Sequence, residues 1–567
     1  MCRIRVLLVF LWAGVAVVTV HTATFEVAQR HPQASDDGPG TLDRPWKTIA
    51  KAAASIKPGD TVRVHSGVYR EHVVIKTDGT ADVPIRFEAA PLENVVVTGA
   101  DLVTDWHKAD SDRPIYTVPW AHRFNTFSPA MTHPGDDYHR LIGRCEQVIV
   151  NGYILRQVLD KAQLAPGTFF ADVTNKLLYA WDSANGDLNR AHAEASTRSE
   201  LLQVTGKHVH LRGLRFRYAA NAAQRGAVRL GGDFGVVEDC VFEEMNSSGA
   251  TFAAADLTVR RCTFRNNGQL GFSANRAHHL LFTDCLVEGN NAKNFERGWE
   301  AGGNKLVLCR DAVLERSRFL HNHGNGIWFD IGNEHCTVRQ CWIAENDDAG
   351  IFYEISFGLQ AHDNVIVGNG FAPTAGAWGA QAGISLSSSP GCVIERNLLL
   401  GDREGFNFRE QQRCTPTIDD RADHPVWNHD ELIQHNIIAF NRDAQVWGWF
   451  DMNDQRHWPA QKQKETAGAQ PELSLEKLNL RFADNIYYAA PGQGAFKWGT
   501  SWGRHESYLT LEEFRAGLGI DTGSRMIEPR FANPGANDFR LDPATMTNLK
   551  ECYPQGPVPG VSLGPPP

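Results

Sequence analysis

Two acidic residues, Asp330 and Glu354, occupy the same place in consecutive copies of a short sequence pattern. The copies read Gly-Ile-Trp-Phe-Asp at 326–330 and Gly-Ile-Phe-Tyr-Glu at 350–354, so each carboxylate closes its copy of the pattern. If each copy is one turn of a coil, the two side chains are neighbours in space. A pair of adjacent carboxyl groups is suited to general acid and nucleophilic catalysis.

A repeat with a basic period of about 23 residues runs along the chain from about residue 205. Each copy has a short β-type run, a Cys, Ser or Asn anchor, two apolar residues and a polar turn. The anchors are Cys240, Cys262, Cys285, Ser317, Cys341, Asn364, Asn397, Asn436 and Asn485. Some intervals between them keep the basic period, and others are longer. This pattern predicts an all-β fold, a right-handed parallel β-helix with insertions in selected turns. The anchors then stack as an internal ladder, in which we expect the cysteines to be buried thiols rather than disulfides or metal ligands.

Strand alternation divides the second run of each copy into inward and outward positions. Six such rows begin at Gly271, Gly298, Gly326, Gly350, Gly383 and Gly405. The first and third residues after each glycine are apolar and are expected to fill the coil. The second and fourth are expected to face outward: Ser273, Asn275, Glu300, Gly302, Trp328, Asp330, Phe352, Glu354, Ser385, Ser387, Asn407 and Arg409.

The outward positions predict how far apart the two carboxylates lie. Adjacent parallel strands are about 4.8 Å apart, which places Asp330 and Glu354 near the roughly 5 to 5.5 Å that retaining glycosidases use. Like charges this close raise one pKa, so one carboxyl can act as an acid while the other attacks. The alternative is a pair of polar residues on a solvated sheet face. Trp328 and Phe352 beside the pair disfavour that alternative, because outward rings usually cover something or bind a sugar face.

Other outward residues are candidates for substrate binding. Glu300 lies one coil below Asp330, and Lys305 follows it closely in the chain, so both are expected to reach the same cleft and orient a substrate ring. A surface ion pair on an insertion loop explains these two equally well. Asn407 and Arg409 border the other side. A zinc site would want paired CxxC or His-x-x-x-His spacing, which the sequence lacks, and we expect neither a metal nor another cofactor.

The whole chain constrains partners and location. It has 567 residues, 42% hydrophobic and 22% charged, which is ordinary globular composition. A net charge of −10 with no Lys/Arg cluster argues against nucleic acid as a partner. Residues 1–23 combine Arg3 and Arg5 with an apolar run, the layout of a secretory signal peptide. We therefore expect a secreted or periplasmic protein with no membrane segment in its mature form; an uncleaved N-terminal anchor is the alternative.

The sequence also predicts how the chain is divided into domains. Residues 24–106 should form an N-terminal cap, with a helix starting at Pro45, and the first coils; 107–200 should form an inserted β-domain. Residues 201–500 should form the β-helix with the acidic pair, and 501–567 a C-terminal cap, with a helix at 509–520, and a disordered tail. The oligomeric state is left open.

The segments around the acidic pair resemble glycoside hydrolase family 120, right-handed β-helix enzymes whose type activity is β-xylosidase. These segments are GIWFD, FYEISFG and, at 296–306, ERGWEAGGNKL. The resemblance implies Asp330 as nucleophile, Glu354 as general acid/base, and Glu300 with Lys305 as substrate contacts. It also implies an inserted β-domain at the position of 107–200. The chain departs from the family at Ile331-Gly332, by one extra residue between the carboxylates, and in the loops expected to set sugar specificity. The resemblance therefore supports the type of reaction better than the identity of the substrate.

The leading hypothesis is a secreted retaining glycosidase whose partner is a poly- or oligosaccharide. A polysaccharide lyase or uronate epimerase on the same fold is a second possibility. It would need a base, for which Lys305 or Arg409 is the candidate, and usually carboxylates that hold calcium, for which Asp347, Asp348 and the acidic pair are candidates. A non-catalytic carbohydrate-binding β-helix is the third.

Overall fold

The computed structural model describes residues 22–124, 144–373, 381–410, 413–450, 478–499 and 505–549. The predicted signal peptide, except its last two residues, and the predicted disordered tail lie outside these ranges. Within them, no helix is long and apolar enough to cross a membrane.

Three long sheets of parallel strands wind around one hydrophobic core. Sheet I contains Val73–Ile75, Leu202–Val204, Gly226–Leu230, Ser248–Phe252, Leu270–Asn275, Gly302–Val307, Ile327–Asp330, Ile351–Glu354, Ala382–Ser387, Glu404–Glu410, Ala444–Phe450 and Phe496–Gly499, with His505–Tyr508 antiparallel at its end. Sheet II contains Thr24–Val27, Thr61–Val64, Ile85–Ala89, Val209–Arg212, Val236–Glu238, Thr258–Arg260, Leu281–Thr283, Val313–Glu315, Thr337–Arg339, Gln360–His362, Val393–Glu395, Leu432–Gln434, Arg481–Ala483 and Asp521–Thr522. Sheet III contains Gly67–Tyr69, Val95–Thr98, Leu214–Arg217, Val241–Glu243, Thr263–Arg265, Leu286–Glu288, Arg318–Leu320, Trp342–Ala344, Val365–Val367, Leu398–Leu400, Ile437–Ala439, Ile486–Tyr488 and Arg525–Met526. The chain visits sheets II, III and I in turn, so the predicted all-β parallel β-helix is confirmed.

The anchor ladder runs up the inside of the coil. The backbone N–H of Cys262 donates to Cys285 Sγ at 3.3 Å, and that of Cys285 donates to Ser317 Oγ at 3.1 Å. Further along, the N–H of Cys341 donates to Asn364 Oδ1 at 2.9 Å. The cysteines are buried thiols, as predicted, and each coil is tied to the next through its anchor.

A second ladder of buried asparagines stands at the turn between sheets III and I, and one member is an aspartate. Asn369 donates its N–H and its Nδ2 to Asp402 Oδ1 at 2.7 and 2.8 Å, and the N–H of Asp402 donates to Asn441 Oδ1 at 2.8 Å. Asp402 Oδ2 is buried and has no hydrogen-bond partner among the described residues. Burial raises the pKa of Asp402 to about 8, although the bonds from Asn369 oppose the rise.

Asp402→Asn should therefore stabilise the fold, and more so at alkaline pH. Below about pH 4 the carboxyl is protonated in both states. As the pH rises towards 8 only the unfolded chain loses the proton, so the free energy of unfolding falls. At pH 8.5 we expect the variant to be more stable than the parent by at least about 2 kcal/mol, and at pH 4 by much less. Denaturant unfolding at both pH values measures this, and an equal or lower stability at pH 8.5 would contradict it.

Helices close both ends of the coil. The helix Ile49–Ser55 begins at the N-cap Thr48, whose side chain accepts from the N–H of Lys51, and it buries Ile49, Ala52 and Ala53 against the first coil. The helix Leu511–Leu518 begins with a capping box of Thr510 and Glu513. It inserts Phe514 against Phe496, with ring centroids 4.4 Å apart. The first helix begins four residues after Pro45, where the sequence analysis placed its start.

The residues after the second cap cover the side of the helix. The hairpin Phe531–Asn533 and Asp538–Leu541, with its 3₁₀ turn Pro534–Ala536, and the helix Pro543–Leu549 follow in the chain. Phe539, Leu541 and Leu549 pack on the outer side of sheet III, on residues such as Trp342 and Leu398. Sheet III strands in this stretch read as continuous apolar runs, which indicates burial on both faces.

Two small sheets lie between the first coils and the regular repeat. One contains Ala100–Leu102, Val148–Val150, Tyr153–Ile154 and Ala193–Ser196; the other contains His107–Lys108, Ile115–Pro119, Arg156–Val158, Thr168–Asp172 and Leu177–Trp181. In the second sheet, the 3₁₀ turn Lys161–Gln163 lies between the strands Arg156–Val158 and Thr168–Asp172. Apolar residues such as Trp106, Phe169 and Leu178 give this unit its own core. It begins at Ala100, several residues before the predicted boundary, because Ala100–Leu102 pairs with Ala193–Ser196.

Candidate active site

The outward side of sheet I brings the predicted residues together in a register that differs from the sequence alignment. The strand of the long coil is Gly302–Val307, in which Lys305 pairs with Ser273. Lys305, not Glu300, therefore occupies the outward position next to Trp328. The prediction that this row begins at Gly298 was wrong. Asn304 takes an inward position, and its polarity breaks the apolar pattern by which the strand would be recognised.

The polar side chain of Asn304 makes a hydrogen bond in the core. Its Oδ1 accepts the backbone N–H of Trp328 at 3.2 Å. Glu300 lies in the loop before the strand with a positive φ of 57°, and Ala301 joins a small cluster with Ala223 and Phe295. The loop, rather than the sheet, thus carries Glu300 to the site.

Four charged residues meet at this point of sheet I. Lys305 Nζ lies 2.8 Å from Asp330 Oδ2 and 3.1 Å from Glu300 Oε1. Trp328 and Phe352 pair directly in adjacent strands, and Asp330 and Glu354 are the next outward positions in the same strands. Of these side chains Glu300 is the most accessible, at 27% exposed, against 10% for Asp330 and 2% for Glu354. Asp330 and Glu354 are adjacent outward residues, as the repeat predicts.

Trp328 links the charged residues of the site. Its ring lies under Lys305, with Nζ 4.3 Å from the ring centroid, and its Nε1 donates to Glu354 Oε2 at 3.2 Å. Its ring also packs on Phe352, with centroids 5.6 Å apart. A tryptophan held on two sides in this way fixes the positions of the ammonium group and of the Glu354 carboxyl.

The two carboxyls have different surroundings. Burial raises the pKa of Glu354 above its usual value and Asp330 raises it further, whereas Arg413 and Lys305 lower it. Burial lowers the pKa of Lys305, but Asp330 and Glu300 outweigh it, so the net shift is upward and the ammonium stays charged. Asp330 therefore faces a permanent positive charge, and its Oδ1 is buried without a hydrogen-bond partner among the described residues.

Arg413 is a member of the site that the sequence analysis missed. It begins a hairpin of strands Arg413–Thr415 and His424–Val426, and its Nη1 contacts Glu354 Oε1. The hairpin reaches back over earlier coils, where the N–H of Ile418 donates to Glu334 Oε1 at 3.1 Å. The only sequence signal is the long 39-residue spacing between Asn397 and Asn436, which indicates an insertion but not where it folds.

A buried ion pair holds the loop that carries Glu300. Arg297 Nε lies 3.1 Å from Asp348 Oδ2, with the side chains only 13% and 2% exposed. Asp348 precedes the strand of Glu354, so the pair ties the loop to the coil above. Asp347 Oδ2 lies 3.3 Å from His323 Nδ1. The two aspartates proposed as calcium ligands therefore have separate protein partners.

The remaining predicted binding residues are buried beside the acidic pair. Ser385 and Asn407 continue the row of Phe352, and Ser387 and Arg409 continue the row of Glu354. Phe352, Asn407 and Arg409 are fully buried in this structure, contrary to the expectation that the outward grid lines an open cleft. Arg409 lies over the ring of Trp449, 5.0 Å from its centroid, and Asn407 Nδ2 donates to Glu404 Oε2 at 2.5 Å. Neighbouring structure covers this part of sheet I.

Comparisons with known proteins agree on the fold. Residues 226–399 match a family model described as "Right handed beta helix region". The uncharacterized protein YwoF of Bacillus subtilis (strain 168) is 32% identical over 87 residues, 15% of this chain and only 18% of the relative's length. XylC, solved in complex with xylose, has a TM-score of 0.65 at 17% identity, covering 90% of this chain and 87% of its own. A mannuronic acid specific polysaccharide family 6 lyase from human gut microbiota has a TM-score of 0.43 at 14% identity, covering 94% and 99%. The chain is thus a right-handed parallel β-helix protein, as predicted, and it shares its fold with XylC.

Proposed function

We propose that this protein is a retaining glycoside hydrolase with Asp330 as nucleophile and Glu354 as general acid/base. The observation that carries the proposal is the contrast between two carboxyls on adjacent coils. Asp330 contacts an ammonium group at 2.8 Å, whereas the pKa of Glu354 is raised by burial although Arg413 contacts it. A retaining enzyme needs this division, because the nucleophile must be ionised while the acid must hold a proton.

The reaction has two displacement steps. In the first, Asp330 attacks the anomeric carbon to form a glycosyl ester while Glu354 gives its proton to the leaving oxygen. In the second, the Glu354 carboxylate removes a proton from water, the resulting hydroxide attacks the anomeric carbon, and Asp330 is released. Both carboxyls return to their starting state, and the product keeps the anomeric configuration of the substrate.

The neighbouring residues have supporting roles in this scheme. Lys305 balances the charge of Asp330, and Trp328 holds Glu354 by the bond from Nε1 at 3.2 Å. Glu300 is the most accessible of the charged groups, so its carboxylate is suited to accept a hydrogen bond from a sugar hydroxyl. Asn407, Arg409 and Phe352 are buried, so they would support the pair from the same sheet rather than contact the sugar.

The proposed substrate is a neutral poly- or oligosaccharide, with β-xylosides as the first choice. The family 120 segments and the similarity in fold to XylC, which was solved with xylose, support this choice. The layout of residues 1–23 supports action outside the cytoplasm.

The site favours hydrolysis over β-elimination or epimerisation. A lyase or epimerase would need Lys305 or Arg409 as a base, but Lys305 has a raised pKa between two carboxylates and Arg409 is fully buried. An unprotonated base at either position is therefore unfavourable near neutral pH.

A panel of p-nitrophenyl glycosides, with the product anomer followed by ¹H NMR, tests the proposal. We expect cleavage of at least one β-glycoside, with the β-anomer formed first and then mutarotating. Initial formation of the α-anomer would reject the retaining mechanism. An unsaturated, ultraviolet-absorbing product from a uronate polymer would identify a lyase, and saccharide binding without cleavage would identify a non-catalytic protein.

Arg413→Gln should move the alkaline limb of the pH profile. Arg413 lowers the pKa of Glu354, and Glu354 must be protonated to act as the acid, so removing the guanidinium extends activity to higher pH. We expect a shift of about 1 unit in the upper pKa of kcat/KM. Arg310→Gln is the matched control, because it breaks the 2.7 Å pair with Asp419 elsewhere on the same hairpin. A shift to lower pH, or an equal shift in the control, would contradict the assignment.

A further inference from the structure

A cavity of about 770 Å³ lies between the inserted β-unit and the turns of the β-helix. Its walls come from the strands and loops around Gln157 and Phe169 on one side, and from the turns at Met245, Gly268 and Lys293 on the other. Among the residues that line it are none of the five charged residues of the candidate active site. Its volume is in the range of sites for small molecules of a few rings.

A buried ammonium group joins the two sides of the cavity. Lys293 Nζ donates to Asn246 Oδ1 at 2.5 Å, to Gln157 Oε1 at 3.2 Å and to the Arg144 carbonyl at 3.3 Å. An ammonium has three protons, so these acceptors satisfy it completely. Burial lowers the pKa of Lys293 to about 8. Lys293 therefore fastens the inserted unit to the helix, and it has no donor left for an anion.

The carboxylate of Glu146, on the wall of the cavity, has hydrogen-bond acceptor sites that the described residues leave unused. The residue is only 5% exposed, and its Oε2 accepts from Gln157 Nε2 at 3.1 Å. No other hydrogen bond reaches this carboxylate from the part of the chain that the structure describes. An ionised carboxylate has about four acceptor sites, so Glu146 can accept from a ligand that offers hydroxyl donors.

Apart from Arg156, whose side chain is exposed, the rest of the wall is apolar or neutral. Phe169, Leu155, Val158 and Met245 are buried and supply apolar surface. Gln147 is engaged by Ser196, whose Oγ donates to Gln147 Oε1 at 3.1 Å. A carboxylate acceptor beside an aromatic ring and aliphatic side chains is the combination that recognises the hydroxyls and the apolar face of a sugar.

We propose that this cavity is a second binding site, separate from the acidic pair, that takes a neutral saccharide of one or two rings through Glu146 and an apolar wall that includes the exposed Ile154. Residues 291–301 connect the two sites, because Lys293 lines the cavity and Glu300 reaches Lys305. A bound saccharide here would hold a longer chain near the acidic pair. Binding does not require cleavage, so the site can exist whether or not the protein is a glycosidase.

Calorimetric titration of the full-length Asp330→Asn protein with xylobiose, cellobiose and lactose tests the site, with digalacturonate as an anionic probe. We expect at least one neutral disaccharide to bind and to lose at least about tenfold in affinity in Glu146→Gln. Ala292→Trp should have the same effect, because Ala292 is exposed and lines the cavity, so a large ring there fills space without removing a buried group. Asp172→Asn, in the same β-unit but outside the cavity, should bind as the parent does.

The outcomes separate this site from the acidic pair. Glu300→Gln should leave binding at the cavity unchanged. Three outcomes would each overturn the proposal. The first is that none of the three neutral disaccharides binds, and the second is a preference for digalacturonate. The third is that binding is lost in Glu300→Gln but not in Ala292→Trp. Cleavage of an aryl glycoside in the absence of binding at the cavity would leave the glycosidase proposal standing and remove this one.

Discussion

Asp330→Asn should reduce kcat on the best aryl glycoside by at least about 10,000-fold, because Asp330 forms the glycosyl ester in the proposed reaction and an amide is a poor nucleophile. The substitution keeps the shape of the side chain, and the parallel pairing of Ile327–Asp330 with Ile351–Glu354 depends on the backbone. The variant should therefore fold normally. Initial rates, with the melting temperature as a check on folding, measure the effect. Asp330→Ala should be equally inactive.

The matched control for Asp330 is Asp347→Asn. Asp347 is also an aspartate at a turn of the helix near sheet I, but its partner is His323, at 3.3 Å, and it has no role in the proposed reaction. We expect its kcat to stay within about twofold of the parent. Turnover that survives in Asp330→Asn, or is lost equally in Asp347→Asn, would remove Asp330 from the role of nucleophile.

Glu354→Gln should make the rate depend strongly on the leaving group. Without a proton donor, the rate of the first step should fall at least about 1,000-fold for a glycoside with a poor leaving group, such as a disaccharide. It should fall much less for a dinitrophenyl glycoside, because that leaving group needs no proton. Glycosyl-enzyme should then accumulate, because water lacks its base. Steady-state rates across a series of aryl leaving groups measure the slope.

Sodium azide gives a second measurement on the same variant. Azide needs no general base, so it should attack the accumulated glycosyl ester and restore turnover as a glycosyl azide with the configuration of the substrate. Glu300→Gln is the control, and its loss should be similar for all leaving groups, because Glu300 contacts the ring in the proposed scheme. A flat leaving-group dependence in Glu354→Gln, with no effect of azide, would assign the acid/base role elsewhere.

The repeat made the fold and the adjacency of the acidic pair predictable from sequence. A coil returns to the same side once per period, so Asp330 and Glu354, at equivalent places in consecutive copies, had to be neighbours. The anchors Cys262, Cys285 and Asn364 were predictable for the same reason, since a residue repeated at one period stacks on itself. Local periodicity and strand alternation carry this information.

Register within an irregular coil was not predictable by the same means. Asn304 points into the core, where its Oδ1 accepts the N–H of Trp328 at 3.2 Å. In the repeat alignment, inward positions were recognised by apolar residues, and Asn304 is polar. The alignment therefore started this row at Gly298 instead of placing Asn304 at an inward position. The resemblance at 296–306 had nevertheless brought Glu300 and Lys305 into the site, and the structure places their charged groups 3.1 Å apart.

Contacts between segments far apart in the chain came from the tertiary structure alone. Arg413 reaches Glu354 across 59 residues, Arg297 pairs with Asp348, and Lys293 reaches Gln157 of the inserted unit. None of these residues shares a period with its partner, and long insertions fold back according to which buried surfaces and charges they can satisfy. The repeat therefore determines that two carboxyls stand side by side. The nonperiodic segments packed around them determine that Asp330 lies against Lys305, and that burial raises the pKa of Glu354 although Arg413 contacts it.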